Sequence, residues 1–114
     1  MANCLFCSIA GGEMEAEIVY EDDRAVAFAD INPQAPVHYL IIPRKHLAGV
    51  NEIEQTDEKL IGHLYFIARK VAEEQGIAAT GYRLVTNSGA DGGQEVDHLH
   101  LHLLGGRKLK WPPG

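Results

Sequence analysis

The chain has 114 residues, 46% hydrophobic and 23% charged. That length suits a single domain spanning residues 1–114, since two halves would each be too small to bury an ordinary core. The formal charge of −6, from ten Lys and Arg against sixteen Asp and Glu, argues against non-specific nucleic-acid binding, which needs a basic face.

No apolar run approaches the roughly 18–20 residues that span a bilayer, so no membrane partner is expected. The opening MANCLFCSIAGGEMEAE lacks a basic segment and soon turns acidic. It does not read as a secretory signal, and the cytoplasm is the expected compartment. An acidic chain can still bind one phosphate where backbone N–H donors converge.

In chain order, a short helix is expected near residues 4–11. Cys4 and Cys7 flank its start and make no disulfide framework; C-x-x-C in such a chain reads as a redox pair or half a metal site. Glu17–Tyr20 and Ala25–Phe28 read as strands around a hairpin turn, Glu21–Arg24. Val37–Ile42 is a third strand, closed by Pro43.

The long helix has its stripe at Leu60, Leu64, Ile67 and Val71, widened by Ile61 and Ala68. Thr56 is its expected N-cap, with Asp57 and Glu58 in the first turn and Gly76 as the stop. Tyr82–Thr86 follows as a strand, then a glycine-rich loop, Ser88–Gly93, then a last strand, Asp97–Leu104. One long helix between two groups of strands predicts an α+β domain with a mostly antiparallel sheet and a short N-terminal helix.

Residues 98–104 read HLHLHLL. Strand side chains alternate faces, so His98, His100 and His102 share one face and the leucines take the other. A sheet face carrying three imidazoles needs a reason, because unpartnered buried imidazoles cost desolvation. Clustered imidazoles can divide labour between a neutral nucleophile and a phosphate partner, or they can ligate a metal. The preceding loop, Asn87–Gln94, offers flexible backbone and N–H donors for phosphate oxygens, although most glycine-rich turns only turn. His38 and His63 lack such company and read as structural.

HLHLHLL matches the His-φ-His-φ-His-φ-φ motif of the histidine triad (HIT) superfamily, where φ is apolar. FADINPQAPVHYLIIPRKH, GYRLVTNSGADGGQEVDHLHLHLLGGR and the ending WPPG resemble its Hint branch, the histidine triad nucleotide-binding proteins. The resemblance implies a HIT-like α+β fold, a homodimer with a sheet continuing across the interface, and hydrolysis of purine nucleoside phosphoramidates or related nucleoside 5′-monophosphate derivatives. It implies a covalent nucleotidyl-histidine at His100, a tautomer set by the carbonyl of His98, phosphate contact from His102, and His46 completing the cluster.

Asp30 matches the ribose-binding acid; Phe28 and Ile31 would line the base pocket. Asn87 and the stretch Gly93, Gln94, Glu95 would face phosphate. Glu95 stands where many relatives carry serine, and Asp97 where an aromatic is frequent, which bears on leaving-group preference. Some relatives hold a structural zinc with two N-terminal cysteines and two histidines. The matching positions here are Cys4, Cys7, His46 and His98, which would recast His46 and His98 as ligands. The chemistry itself requires no cofactor. A dinucleoside polyphosphate hydrolase, a non-catalytic nucleotide-binding module and a zinc protein without transfer activity are the competing readings.

Overall fold

The computed structural model describes residues 4–114; residues 1–3 of the expected domain lie outside the described residues. The elements run α1 (Leu5–Ala10), β1 (Ile18–Glu21), β2 (Ala25–Ala29), β3 (Val37–Pro43), α2 (Glu58–Glu74), β4 (Tyr82–Val85), α3 (Gly89–Gly92) and β5 (Leu101–Gly105). The strands form one sheet in the order β1-β2-β3-β5-β4, and every neighbouring pair is antiparallel. This is the expected α+β architecture.

The sheet is covered on both faces, which is why β2 reads AVAFA with no polar alternation. On one face α2 packs Leu64, Ile67, Ala68 and Val71 against Ala25, Ala27, Ile41, Leu101 and Leu103. On the other face Phe6 and Ile9 of α1 meet Val26, Phe28, Leu40 and Ile42. Burying a side chain of this size is worth about 1.5–3 kcal/mol, so each helix is held by its apolar face. The β1–β2 turn is fixed by Asp22, whose Oδ1 accepts from the backbone N–H groups of Arg24 (2.8 Å) and Ala25 (2.9 Å).

Three local expectations change. The N-cap of α2 is Asp57, not Thr56. A 3-10 turn over Gln55–Asp57 leads into the helix, and a reciprocal capping box between Glu54 and Asp57 satisfies the first N–H donors one turn earlier. The glycine-rich segment is not all loop: α3 forms between Gly89 and Gly93, which take left-handed backbone at φ 72° and 81°.

The last strand begins at Leu101, not Asp97. Strand β3 pairs with β5 only as far as Ile41 opposite Leu101 and ends at Pro43, so residues 97–100 have no ladder partner. Leu99 N–H donates instead to the carbonyl of Leu47 at 2.7 Å. Gly76 ends α2 in left-handed backbone (φ 75°), as expected of a C-terminal stop. No helix among the described residues is long and apolar enough to cross a membrane.

Candidate active site and metal centre

The alternation of HLHLHLL survives the loss of the ladder. Leu99, Leu101 and Leu103 enter the core under α2. His98 and His100 lie on the α1 side, where the Phe6 ring meets them edge-on at 6.0 and 5.1 Å. His102 follows His100 at a ring separation of 4.9 Å.

On that side the sheet and α1 enclose a cavity of about 620 Å³. Its floor is apolar, with Phe6, Ile9, Phe28 and Leu40, and His38, His100 and His102 converge on one side. Asp30, Ile31, Asn87, Gly93 and Glu95 also line it. Ile31 is almost fully exposed at the rim.

The hydrogen bonds assign the ring protons. His100 Nδ1–H donates to the carbonyl of His98 at 2.7 Å, so the neutral ring keeps its lone pair on Nε2. Among the described residues no buried side-chain nitrogen or oxygen lacks a partner, and His100 Nε2 has none, so Nε2 is accessible on a ring that lines the cavity. Gln34 N–H donates to His38 Nδ1 at 3.0 Å, which puts the His38 proton on Nε2. That proton is directed at His102 Nδ1 (2.9 Å), with the Asp30 carboxylate at 3.3 Å. His102 thereby accepts at Nδ1 and carries its own proton on Nε2. Burial pushes His38 down from the ordinary imidazole value. Burial, then the neighbouring His100 and His38, push His102 down to about 4. Adjacent rings thus present a lone pair at His100 and an N–H at His102 to the same space.

Two expected site residues lie elsewhere. His46 does not reach the cavity; its Nδ1 faces Cys7 Sγ (3.3 Å) and His98 Nδ1 (3.2 Å). The fourth histidine beside the triad is His38, a residue whose isolation in the sequence suggests only a structural part. Its signal was a lone polar residue on the face of β3 that otherwise buries Leu40 and Ile42. Gln94 also turns away. Its amide donates to the carbonyls of Ala48 (2.6 Å) and Val96 (3.0 Å) and accepts from Gly89 N–H (3.0 Å), tying the loop down. His63 stays structural, bonding Asp22 at 2.6 Å to dock α2 on the hairpin.

Beside the cavity, Cys4, Cys7, His46 and His98 bring four donor atoms within 4.8 Å of one another. Cys4 Sγ is 3.2 Å and Cys7 Sγ 3.5 Å from His98 Nδ1. A tetrahedron with Zn–S of about 2.3 Å and Zn–N of about 2.0–2.1 Å has edges of about 3.3–3.8 Å, close to these separations. His98 donates its Nε2–H to the carbonyl of Pro43 at 2.8 Å, leaving the Nδ1 lone pair aimed at the sulfurs. Cys7 N–H points at Cys4 Sγ (3.3 Å). Burial, then the adjacent Cys4, push the Cys7 thiol up, so a thiolate at Cys7 needs a cation beside it. The donor set fits a tetrahedral Cys2His2 metal.

Asp30, His38 and His102 form a second cluster within the same limit. There the fit fails: a metal on His38 Nε2 needs the proton on Nδ1, which already accepts from Gln34 N–H.

The HIT domain family matches residues 11–109. This chain belongs to the HIT family. An uncharacterised HIT-like protein of Synechocystis is 52% identical over 110 residues, 96% of each chain. The crystal structure of a HIT family hydrolase from Legionella pneumophila superposes with a TM-score of 0.96 at 54% identity, covering 98% of this chain and all of that one. A histidine triad nucleotide-binding protein from Candida albicans gives a TM-score of 0.83 at 29% identity, covering 96% of this chain and 83% of that one. The HIT motif of this chain is therefore the segment that divides into two imidazole clusters at His98.

Proposed function

We propose that the protein is a hydrolase of nucleoside 5′-phosphoramidates, acting on purine nucleoside monophosphate derivatives through a nucleotidyl-histidine at His100. The observation that carries this is the His100 ring, with Nδ1–H committed to the His98 carbonyl and Nε2 open to the cavity. A neutral imidazole with its lone pair fixed toward the substrate is an activated nucleophile. His100 Nε2 attacks the α-phosphorus, an N–P bond forms and the bond from phosphorus to the leaving nitrogen breaks. That nitrogen departs with the electron pair and takes a proton from water. A second water attacks the adduct, gives up a proton and returns Nε2. His102 Nε2–H is placed to hold a phosphate oxygen as charge develops there.

Phe28, Leu40 and Phe6 supply an apolar bed for a base, and Asp30 can accept from ribose hydroxyls. Asn87 and the loop at Gly93 and Glu95 border the phosphate end. The reading takes residues 1–114 as one domain, working in the reducing cytoplasm. It also takes the chain as a homodimer, because β4 is the last strand of the sheet and leaves an open edge for a second copy.

Zinc is assigned to Cys4, Cys7, His46 and His98. Bound there it would cross-link α1 to the segment carrying His98 and supply no step of the reaction. The test is turnover of adenosine 5′-phosphoramidate with and without chelator, with a mass-spectrometric search for the adduct. An adenylyl group on His100 is expected; an adduct on another residue, or none in an active enzyme, overturns the reading.

A further inference from the structure

The charged side chains lining the cavity are all acidic. Glu15, Glu17, Asp30 and Glu95 border it, and no lysine or arginine does so among the described residues. A site for a phosphate derivative is thus built without a fixed cation. Beside His100, burial pushes His38 down and its Nε2–H is spent on His102 Nδ1, which leaves His102 Nε2–H as the imidazole donor facing the cavity. A phosphate carrying a single negative charge can be held by such a donor, but each added anionic group meets the field of four carboxylates.

Asp30 is engaged by Asn32 N–H (2.8 Å) and by His38, and Glu15 and Glu17 stand just before β1 beside Met14 and Ala16. Of the four, Glu95 is the one carried by the segment that leads into the triad. It stands on the rim between Gly93 and Val96, three residues before His98, it is exposed, and it has no hydrogen-bond or ion-pair partner among the described residues. The second feature at this end is the buried His100 ring, only 6% exposed, whose unpartnered Nε2 faces the same space. In-line attack by that nitrogen sends the leaving group to the opposite side of phosphorus, away from the buried ring, within the cavity that Glu95 also lines.

We infer that the preferred substrates carry a second, positively charged group on the leaving amine, such as the free ammonium of a diamine or of a basic side chain, and that Glu95 is the residue that selects it. This rests on the phosphoramidase reading and names its leaving group. The all-acidic charged lining also disfavours a dinucleoside polyphosphate, whose extra phosphates carry only negative charge.

The test uses three adenosine 5′-phosphoramidates, made from 1,3-diaminopropane, propylamine and β-alanine, which end in ammonium, methyl and carboxylate groups. In the wild-type protein kcat/KM should fall in that order, with the ammonium amide about tenfold above the carboxylate amide at low salt, a modest ratio because the pair is solvent-exposed. Glu95→Gln should cut that ratio to about threefold, and 0.5 M salt should compress it further. The variant cancels the intrinsic reactivity of the three amides, so the change in ratio reports Glu95 alone. Binding of the same amides to His100→Ala, measured by calorimetry, separates the two ideas. Ammonium-first binding without wild-type turnover overturns the phosphoramidase reading and keeps the charge selection. A flat or inverted order, or a ratio unchanged in Glu95→Gln, overturns the charge selection even if all three amides are hydrolysed.

Discussion

His98 and His100 lie two residues apart on one side of the same segment, yet their rings serve different surroundings. His98 is fully buried and gives Nε2–H to Pro43, so its free lone pair on Nδ1 meets two sulfurs and another imidazole. His100 gives Nδ1–H to the His98 carbonyl, so its lone pair on Nε2 meets an open cavity. One carbonyl partner apiece fixes opposite nitrogens. The first arrangement suits a cation; the second leaves a lone pair facing an open cavity. Imidazole chemistry here is decided by which nitrogen the backbone occupies. The two regions share His98, whose side chain belongs to the first and whose carbonyl serves the second.

The largest expected effect breaks the cavity side alone. His100→Ala should lower kcat by about three orders of magnitude or more, as expected when a covalent route is lost. Binding of adenosine monophosphate, measured by calorimetry, should change much less, because Asp30 and the apolar floor are intact. Turnover within tenfold of wild type would refute the assignment.

Cys4→Ser breaks the other side. Elemental analysis should find about one zinc per chain in the wild type and a clear loss in the variant. The thermal midpoint should fall by about 10 °C, since α1 is no longer tethered. A protein purified metal-free from zinc-replete reducing conditions would remove the metal centre from the comparison.

A smaller effect sharpens the proton assignment. His38→Ala removes the donor to His102 Nδ1 and frees that ring to place its proton on either nitrogen. We expect kcat to fall about 10–100-fold with little change in nucleotide affinity, and the His102 ring nitrogens to change tautomer in 15N spectra. An unchanged tautomer would show that His38 does not set it.

The smallest effect is on pH stability. His102, faced by His100, His38 and Asp30, titrates near 4 in the fold against an ordinary 6.5. Between those values the unfolded chain binds the proton and the native one does not, so stability rises with pH there. Its contribution is complete above about pH 6.5 and is lost as pH falls toward 4. His102→Gln should flatten the fall in urea midpoint between pH 6.5 and 4.5; an identical slope in the variant would contradict the assignment.

The sequence by itself determined what repeats locally. The stripe of α2, the hairpin at Asp22, the stop at Gly76 and the alternation in HLHLHLL all follow from spacing along the chain, because helix and strand periods sort side chains by face. The resemblance further pointed to His100 and to the set Cys4, Cys7, His46 and His98, residues whose surroundings the tertiary structure then supplied. What only that structure decided depends on distant segments meeting. His46 and His38 are both lone histidines, on either side of Pro43. The end of β3 turns the first toward Cys7, while the β3–β5 register places the second beside His102. The same break at Pro43 leaves residues 97–100 without a ladder and frees the His98 ring to face the sulfurs. Gln94, legible as a phosphate contact, instead ties its own loop to Ala48. Periodicity says which face a side chain takes; only the packing of other segments onto that face says which atom its nitrogen meets.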